Sequence, residues 1–381
     1  MKLFECQNCR QPLYFENTRC ESCGRQLGYL PSRDAVTALQ ADPDGGLSAL
    51  AEPKGRYRYC ANVEHGVCNW LLPFDHPEQF CAACRHNRTI PDLSQPLNLT
   101  RWRKIEVAKH RLFYTLLKLR LPLATRAEDA EGGLAFDFIA EREMDGGHEA
   151  VMTGHDSGLI TRNLAEADDP ERERQRFEMG EAYRTLLGHF RHEIAHYYWA
   201  RLVGRSSFLQ EFRNTFGDER KNYVTALQTH YAEGPPPDWP EHFVTAYASV
   251  HPWEDFAETW AHYFHMVDTL ETASGFGLSL WPKVAKAVEL AKIDFDPHHA
   301  ALDRIIEAWL PLTFAVNSIN RSMGLPDLYP FVLAPRVIVK LTFLHRLIEA
   351  RSRPQAASTG TSAIRAIVAS LRRPIGSPGS S

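Results

Sequence analysis

Apolar residues recur every three or four positions in several stretches of the chain, a spacing that is typical of helices with one buried face. The clearest repeat follows Thr100 and consists of Ile105, Ala108, Leu112 and Leu116. It predicts a helix that has Thr100 as its N-cap and ends near residue 119.

The remaining patterns are of two kinds. Helical spacing also occupies residues 169–200, 253–270 and 284–350. A Gly-Pro-Pro-Pro run at residues 234–237 separates the first two of these stretches. Residues 134–139 predict a strand, and residues 148–164 predict two strands joined by a turn at 153–158. The mixture predicts an α+β, mostly helical domain over residues 96–350.

Small residues, proline and glycine mark two further segments. Residues 41–54 read ADPDGGLSALAEPK, which predicts a linker between two N-terminal modules at residues 1–40 and 55–95. Residues 351–381 are rich in Ser, Pro, Gly and Ala, which predicts a disordered tail with a short helix over residues 363–371.

Composition narrows the class of protein. The 381 residues are 44% hydrophobic and 24% charged, and the net charge is −4, so neither nucleic acid nor an anionic membrane is expected as the main partner. No apolar run is long enough for a membrane span, and the first residues do not resemble a signal peptide. We therefore expect a cytoplasmic protein.

All eight cysteines precede residue 85, so their role is local. The first four form two CxxC pairs, Cys6 with Cys9 and Cys20 with Cys23. A CxxC turn directs two thiolates at one ion, and four thiolates suit tetrahedral Zn²⁺. Because no secretion signal is visible, metal binding is favoured over a disulfide framework. The spacing predicts a zinc ribbon.

The second four cysteines are less regular. Cys60 and Cys68 are eight positions apart, whereas Cys81 and Cys84 form a CxxC pair. They predict a second structural zinc site, with a redox or free-thiol role as the alternative. Three nearby histidines are candidate substitutes for a cysteine ligand, namely His65, His76 and His86. The two modules either fold only their own segments or bind a protein partner.

An HExxH motif lies within the predicted helix that leads to residue 200. His192 and His196 are four residues apart and therefore share one helix face, where their imidazoles can bind one Zn²⁺. Glu193 is placed to act as general base on a water at the metal. A chance match is the alternative, but Ile194, Ala195 and the aromatic residues that follow favour a buried helix.

A catalytic zinc needs a third protein ligand. Downstream of Pro252, which suits a helix start, Glu254, Glu258 and His262 lie on one helical stripe. Carboxylates on a helix rich in Trp, Phe and Ala are costly to bury without a cation, although a solvated face is the alternative. Glu254 is the expected ligand and Glu258 the expected acceptor that orients a ligating histidine. His251 and His262 are minor candidates.

The run Glu254-Asp-Phe-Ala-Glu258-Thr-Trp, together with HExxH, resembles the gluzincin metallopeptidases, which pair that motif with a glutamate on a later helix. The resemblance implies that Glu254 binds zinc and that Tyr247, seven residues earlier, stabilises the oxyanion. From its N-terminus to residue 333 the chain is similar to a family of bacterial zinc-binding metallopeptidases with an N-terminal zinc ribbon. That resemblance implies a zincin-like domain.

These observations together predict a zinc metallopeptidase that hydrolyses peptides or proteins through a metal-activated water. It is expected to hold one catalytic and two structural zinc ions. Two alternatives are left open. The first is a zinc hydrolase of non-peptide substrates, and the second is a zinc-stabilised interaction or regulatory protein without peptidase activity.

Overall fold

The structure is a computed structural model that describes residues 1–144, 147–149, 153–178, 185–283 and 291–352. The predicted tail therefore lies outside the described residues, except for the end of a helix that finishes at Ser352. Its predicted helix over residues 363–371 is also outside them.

The N-terminal region consists of short strands, which are β1 (Phe4–Glu5), β2 (Pro12–Leu13), β3 (Leu27–Leu30), β4 (Ala35–Ala41), β5 (Leu47–Ala49), β6 (Glu52–Tyr59), β7 (Leu71–Pro73) and β8 (Asn87–Thr89). Strands β1 and β2 form a hairpin, and β3 to β7 form one antiparallel sheet in chain order. This sheet joins the two cysteine-containing segments.

The linker predicted over residues 41–54 is wrong. These residues form the end of β4, all of β5 and the start of β6. The Asp-Pro-Asp-Gly-Gly run makes a hairpin turn, in which the amide of Asp42 donates to the carbonyl of Gly46 over 2.9 Å and Gly45 has a φ of +84°. Turn residues between two strands close a hairpin as readily as they form a linker.

Helix α1 (Pro96–Lys118) confirms the first predicted helix and buries its four apolar repeat positions. It begins earlier than predicted, because Pro96 occupies the first helical turn, where a missing amide costs nothing. Thr100 is consequently not the N-cap. It lies inside the helix, where its hydroxyl donates to the carbonyl of Pro96.

The second sheet contains β8 and three strands that follow α1, which are β9 (Ala135–Ile139), β12 (Gly154–Asp156) and β13 (Leu159–Asn163). Its order is β12-β13-β9-β8. Strands β10 (Arg142–Met144) and β11 (Gly147–Glu149) form a separate antiparallel pair. The strand predicted at residues 134–139 is thus confirmed.

The two strands predicted over residues 148–164 are only partly as expected. Residues 150–152 lie outside the described residues, and the turn is shorter than predicted. Only Ser157 and Gly158 connect β12 to β13, and both have positive φ, as a two-residue hairpin turn requires. Strand β12 is left at the edge of the sheet.

The rest of the described chain is mainly helical, with α2 (Asp169–Glu178), α3 (Leu186–Tyr198), α4 (Leu209–Phe216), α5 (Tyr223–Glu233), α6 (Trp239–His242), α7 (Pro252–Gly275), α8 (Leu302–Ser322) and α9 (Pro335–Ser352). A small hairpin of β14 (Ser279–Leu280) and β15 (Ala291–Lys292) precedes α8. The predicted break at residues 234–237 separates α5 from α6. None of the helices in the described parts of the chain is both long and apolar enough to cross a membrane.

Helices α3 and α7 pack against each other at the centre of this region. Arg191 on α3 bridges them, because its guanidinium donates to His265 Nδ1 over 2.6 Å and to the carboxylate of Asp268, both on α7. These side chains are buried, so the pairing fixes how the two helices lie side by side. The fold is therefore mixed α/β, with a four-cysteine ribbon-like region before a mainly helical domain.

Candidate metal centres

The first four cysteines converge beside the β1–β2 hairpin. The sulfur of Cys6 lies 3.8 Å from that of Cys23, and the sulfur of Cys9 lies 3.6 Å from that of Cys20. A tetrahedral zinc with Zn–S bonds of 2.3 Å would separate its sulfurs by about 3.8 Å. All four sulfurs lie within 4.8 Å of one another, so they fit one zinc ion.

The second four cysteines also converge, and all four are buried. The sulfurs of Cys68 and Cys81 are 3.8 Å apart, again the tetrahedral separation. Backbone amides donate to three of the sulfurs, including that of Cys60 from the amide of Cys81 over 3.3 Å. Such donors stabilise thiolates, and thiolates are the form that binds zinc.

The structure does not bring the three candidate histidine substitutes to this cluster. His86 instead donates from Nδ1 to the carbonyl of Leu134. A histidine that the sequence analysis missed, His110 on α1, lies there, with Nε2 3.6 Å from the sulfur of Cys84. Burial alone would lower the pKa of His110, but the Cys84 sulfur raises it. The second cluster is thereby tied to α1.

A third cluster forms where α3 faces α7. The Nε2 atoms of His192 and His196 are 3.2 Å apart. Glu254 completes a triangle, since its Oε2 lies 3.0 Å from Nε2 of His192 and its Oε1 lies 3.7 Å from Nε2 of His196. Zinc bonds of 2.0–2.1 Å at tetrahedral angles would separate such ligands by about 3.3 Å. The three side chains therefore fit a zinc ion.

The hydrogen bonding of the Glu254 carboxylate also supports a zinc ion at this position. Its Oε1 accepts a hydrogen bond of 2.9 Å from the hydroxyl of Tyr223. Its Oε2 is buried and accepts no hydrogen bond from the described part of the chain. A buried carboxylate oxygen without a donor is costly, and a cation at that position removes the cost.

Glu258 lies one turn beyond Glu254 on α7. It contacts Nδ1 of His192, whereas Glu254 contacts Nε2 of the same ring. Oε1 of Glu258 is 2.7 Å from Nδ1 of His192, and its Oε2 accepts from the hydroxyl of Thr245 over 2.8 Å. Burial would raise the pKa of Glu258, but the contact with His192 lowers it to about 2. With Nδ1–H directed at this carboxylate, His192 presents the lone pair of Nε2 toward Glu254.

Glu193 is held by a chain of hydrogen-bonded side chains. Its Oε1 lies 3.0 Å from Nε2 of His189, and Nδ1 of His189 lies 3.0 Å from Oε2 of Glu166. Arg162 donates to the same oxygen of Glu166 over 2.5 Å, and Thr153 donates to its other oxygen. Burial alone would raise the pKa of Glu193, but His189 and the two neighbouring histidines hold it below its usual range.

Tyr247 lies beside the cluster, with its ring centre 6.0 Å from that of His192. Burial, reinforced by the charge of Glu254, raises its pKa well above the usual range, so its hydroxyl remains a donor. Tyr223 was missed by the sequence analysis. It is 31 residues from Glu254 in sequence, and no local spacing signals that contact.

The minor ligand candidates have other partners. His251 caps α7 by accepting from the amide of Trp253, and His262 contacts the hydroxyl of Tyr329 through Nδ1 over 2.7 Å. Asp255 pairs with Lys340 over 2.6 Å, away from the cluster. Among the described residues, neither histidine belongs to a group that could hold a metal.

The third cluster opens into a cavity of about 1130 Å³. Its walls include residues of α3, α7 and β12, together with residues 239–240, 243–247 and 330–332. His155 on β12 faces the cluster, with its ring centre 6.2 Å from that of His196. Burial lowers the pKa of His155 to about 4, so it adds no positive charge near neutral pH.

Comparison with known proteins finds relatives of the chain in mycobacteria. An uncharacterized protein of Mycobacterium bovis is 42% identical to the chain over 350 residues, which are 92% of this chain and 96% of the relative. Two uncharacterized proteins of Mycobacterium tuberculosis match to the same extent. No solved protein structure matches the chain.

Two family models match, and together they span nearly all of the described chain. A zinc-ribbon domain model covers residues 3–95, including both cysteine clusters. The model described as "Putative zinc-binding metallo-peptidase" covers residues 98–347, including the HExxH helix and Glu254. The chain therefore belongs to the family that this second model describes, and a zinc-ribbon domain precedes the part that matches it.

Proposed function

We propose that the protein is a zinc-dependent peptidase with a zincin-like domain. The observation that carries the proposal is the triangle of His192, His196 and Glu254 at the floor of a cavity, with Glu193 held beside it. A zinc site that only stabilised the fold would not require a carboxylate such as Glu193, which is held beside the metal site without being a ligand.

In this proposal His192, His196 and Glu254 hold the zinc ion. When bound, zinc supplies a Lewis acid that polarises the scissile carbonyl and lowers the pKa of the attacking water. Glu193 takes the proton of that water. Because His189 occupies its Oε1, Oε2 is the oxygen that receives the proton and later delivers it to the leaving amine.

Tyr247 is the proposed donor to the oxyanion, and its hydroxyl is suited to this because the raised pKa keeps the proton in place. Tyr223 has a different role in the proposal. Its hydroxyl bonds to Oε1 of Glu254, which leaves Oε2 directed at Nε2 of His192.

The cavity favours a peptide over a small non-peptide substrate. Its volume of about 1130 Å³ lies above the range of about 300–1,000 Å³ that is usual for small-molecule sites. Strand β12 borders it as an edge strand, and an extended peptide can add to such an edge through backbone hydrogen bonds.

The direct test is incubation of the zinc-loaded protein with a peptide mixture derived from a proteome, followed by identification of the products by mass spectrometry. New termini that appear only with the wild-type protein, and not with Glu193→Gln, support the proposal. Hydrolysis of small esters or amides without peptide products would instead favour the non-peptide hydrolase.

We predict that His189→Ala lowers kcat about 10–100-fold while zinc content and KM stay close to wild type, because His189 positions Glu193 without binding the metal. His189→Gln, which retains a donor, should recover part of the loss. His299→Ala, which changes an exposed histidine that does not line the cavity, is the matched control. Equal loss of zinc and kcat in His189→Ala would mean that the residue supports the metal site itself.

We predict three zinc ions per chain in protein purified without chelator, two in the cysteine clusters and one in the cavity. Elemental analysis measures the number. Cys9→Ser, Cys68→Ser and His196→Ala should each lower it by about one, since each removes a member of a different cluster. A reproducible value near one would contradict the two cysteine sites.

A further inference from the structure

The cavity has two chemically different ends. At one end lie the proposed zinc ligands and the carboxylates around them. Helix α7 then continues along the cavity beyond Glu258, and the side chains it contributes there are Ala261, His262 and His265. Three further lining residues, Pro330, Phe331 and Val332, belong to this second end, because Phe331 packs on His262. We call these six residues the apolar end.

The two histidines of the apolar end are already engaged inside the protein. His262 Nδ1 is bonded to Tyr329, and His265 Nδ1 accepts from Arg191. Burial lowers the pKa of His262 to about 4, although the nearby carboxylate of Glu258 opposes the shift. Burial and the charge of Arg191 lower the pKa of His265 well below its usual value. Both rings are therefore uncharged near neutral pH.

One wall of the apolar end is a short segment, residues 328–333, that is fixed at Tyr329. The side chain of Asn317 bonds to both backbone groups of Tyr329, donating to its carbonyl over 2.8 Å and accepting from its amide over 2.9 Å. Phe331 then packs on His262, with ring centres 4.4 Å apart. Val332 at the rim is 72% exposed. The hydrogen bonds of Asn317 and the packing of Phe331 on His262 therefore hold this wall in place without a ligand.

The distance between the proposed metal ligands and the apolar end determines which residue of a bound peptide can reach that end. His262 is eight residues beyond Glu254 on one helix, which is about 12 Å along the helix axis. An extended peptide advances about 3.3 Å per residue. A peptide bond at the metal would therefore place a side chain three to four residues away at the apolar end.

We propose that the apolar end is a subsite for a large apolar side chain of the substrate, three to four residues from the scissile bond. The inference rests on the proposed peptidase function, because only a chain long enough to span both ends uses the whole cavity. An uncharged, apolar wall gains free energy from burying an aliphatic or aromatic group and disfavours a charged one.

A second cavity, of about 260 Å³, lies behind this wall and shares His265 and Phe331 with the first. Its other lining residues include Trp309, Leu312 and Val316. The ring of Phe331 borders both spaces. Shortening it to alanine should join them and allow the subsite to accept a larger side chain.

Binding to zinc-loaded Glu193→Gln tests the subsite without requiring hydrolysis. The probes are fluorescently labelled Ala/Ser peptides that are identical except for one Leu, Trp, Ser or Glu, and affinity is measured by anisotropy. Leu should bind about tenfold or more tightly than Ser or Glu. Adding Phe331→Ala should shift the preference toward Trp, and Val332→Asp at the exposed rim should remove the preference for apolar probes. Phe314→Ala on α8, which lines neither cavity, should change neither result.

The outcomes separate the two proposals. Apolar preference that responds to Phe331→Ala and Val332→Asp supports the subsite even if the wild-type protein cleaves no peptide, and such a lack of cleavage would contradict only the proposed function. Equal affinity for all four probes, or a preference that neither substitution changes, overturns the subsite whether or not peptides are cleaved.

Discussion

Glu193→Gln is expected to lower peptide hydrolysis by at least about 10²–10⁴-fold while the protein keeps its full zinc content. Glutamine has the same size as glutamate, and its amide oxygen can still accept from His189. It cannot take a proton from water. The expected loss is therefore confined to the chemical step, which is measured as the single-turnover rate constant with zinc determined on the same sample.

The control for this experiment is another glutamate outside the cavity. Glu307→Gln changes an exposed residue on α8 that lines neither cavity, so it should leave kcat at the wild-type value. Hydrolysis at wild-type rates by Glu193→Gln would show that Glu193 is not the general base. Loss of zinc from the variant would instead show that the side chain helps to hold the metal.

The parts of the cavity that follow helical spacing could be derived from the sequence. His192 and His196 are one turn apart on α3, and Glu254 and Glu258 are one turn apart on α7, so each pair had to share a face. The spacing could not say which atoms meet across the two helices. The contact of Glu258 with Nδ1 of His192, and of Glu254 with Nε2, depends on how α3 and α7 pack.

The residues that hold Glu193 and Glu254 in position could not be predicted from helical spacing. His189 lies three residues before the motif, but its role depends on Glu166, which reaches it from a 3₁₀ turn after β13. Tyr223 reaches Glu254 from the start of α5. Both contacts join separate elements that meet only through tertiary packing. The spacing of residues within one helix or strand therefore carries no information about them.

The N-terminal region shows the same limit. Cysteine spacing indicated both clusters, yet residues 41–54 complete a sheet instead of separating two modules. Composition identified turn residues correctly, but only the hydrogen bonds of the neighbouring strands decide whether a turn closes a hairpin. His110 likewise belongs to α1 in sequence and to the second cysteine cluster in space.

Glu254→Ala and Glu258→Ala are expected to weaken zinc binding to very different extents. Removing Glu254 takes away one of three proposed ligands, whereas removing Glu258 takes away a partner of a ligand, which typically costs about 10–100-fold in affinity. We expect Glu254→Ala to lose zinc by much more than this range. Chelator competition, with zinc as the measured species, determines both affinities.

The geometry explains why the two carboxylates are not interchangeable. The two nitrogens of an imidazole lie on different sides of the ring, so an ion held by Nε2 of His192 is out of reach of a carboxylate bonded to Nδ1. Glu258 occupies the Nδ1 side and is also bonded to Thr245, while Glu254 lies on the Nε2 side next to His196. Alanine at position 258 should therefore leave all three proposed ligands in place.

Both glutamates are largely buried, so the variants need a measurement of folding beside that of metal affinity. Circular dichroism and thermal unfolding in the presence of excess zinc serve this purpose, and Glu307→Ala provides the exposed reference on α8. If Glu258→Ala loses the metal while a folded Glu254→Ala retains it, the assignment is reversed. Equal and modest weakening in both variants would mean that neither carboxylate is a ligand, and the third ligand would then have to come from another side chain of the cavity.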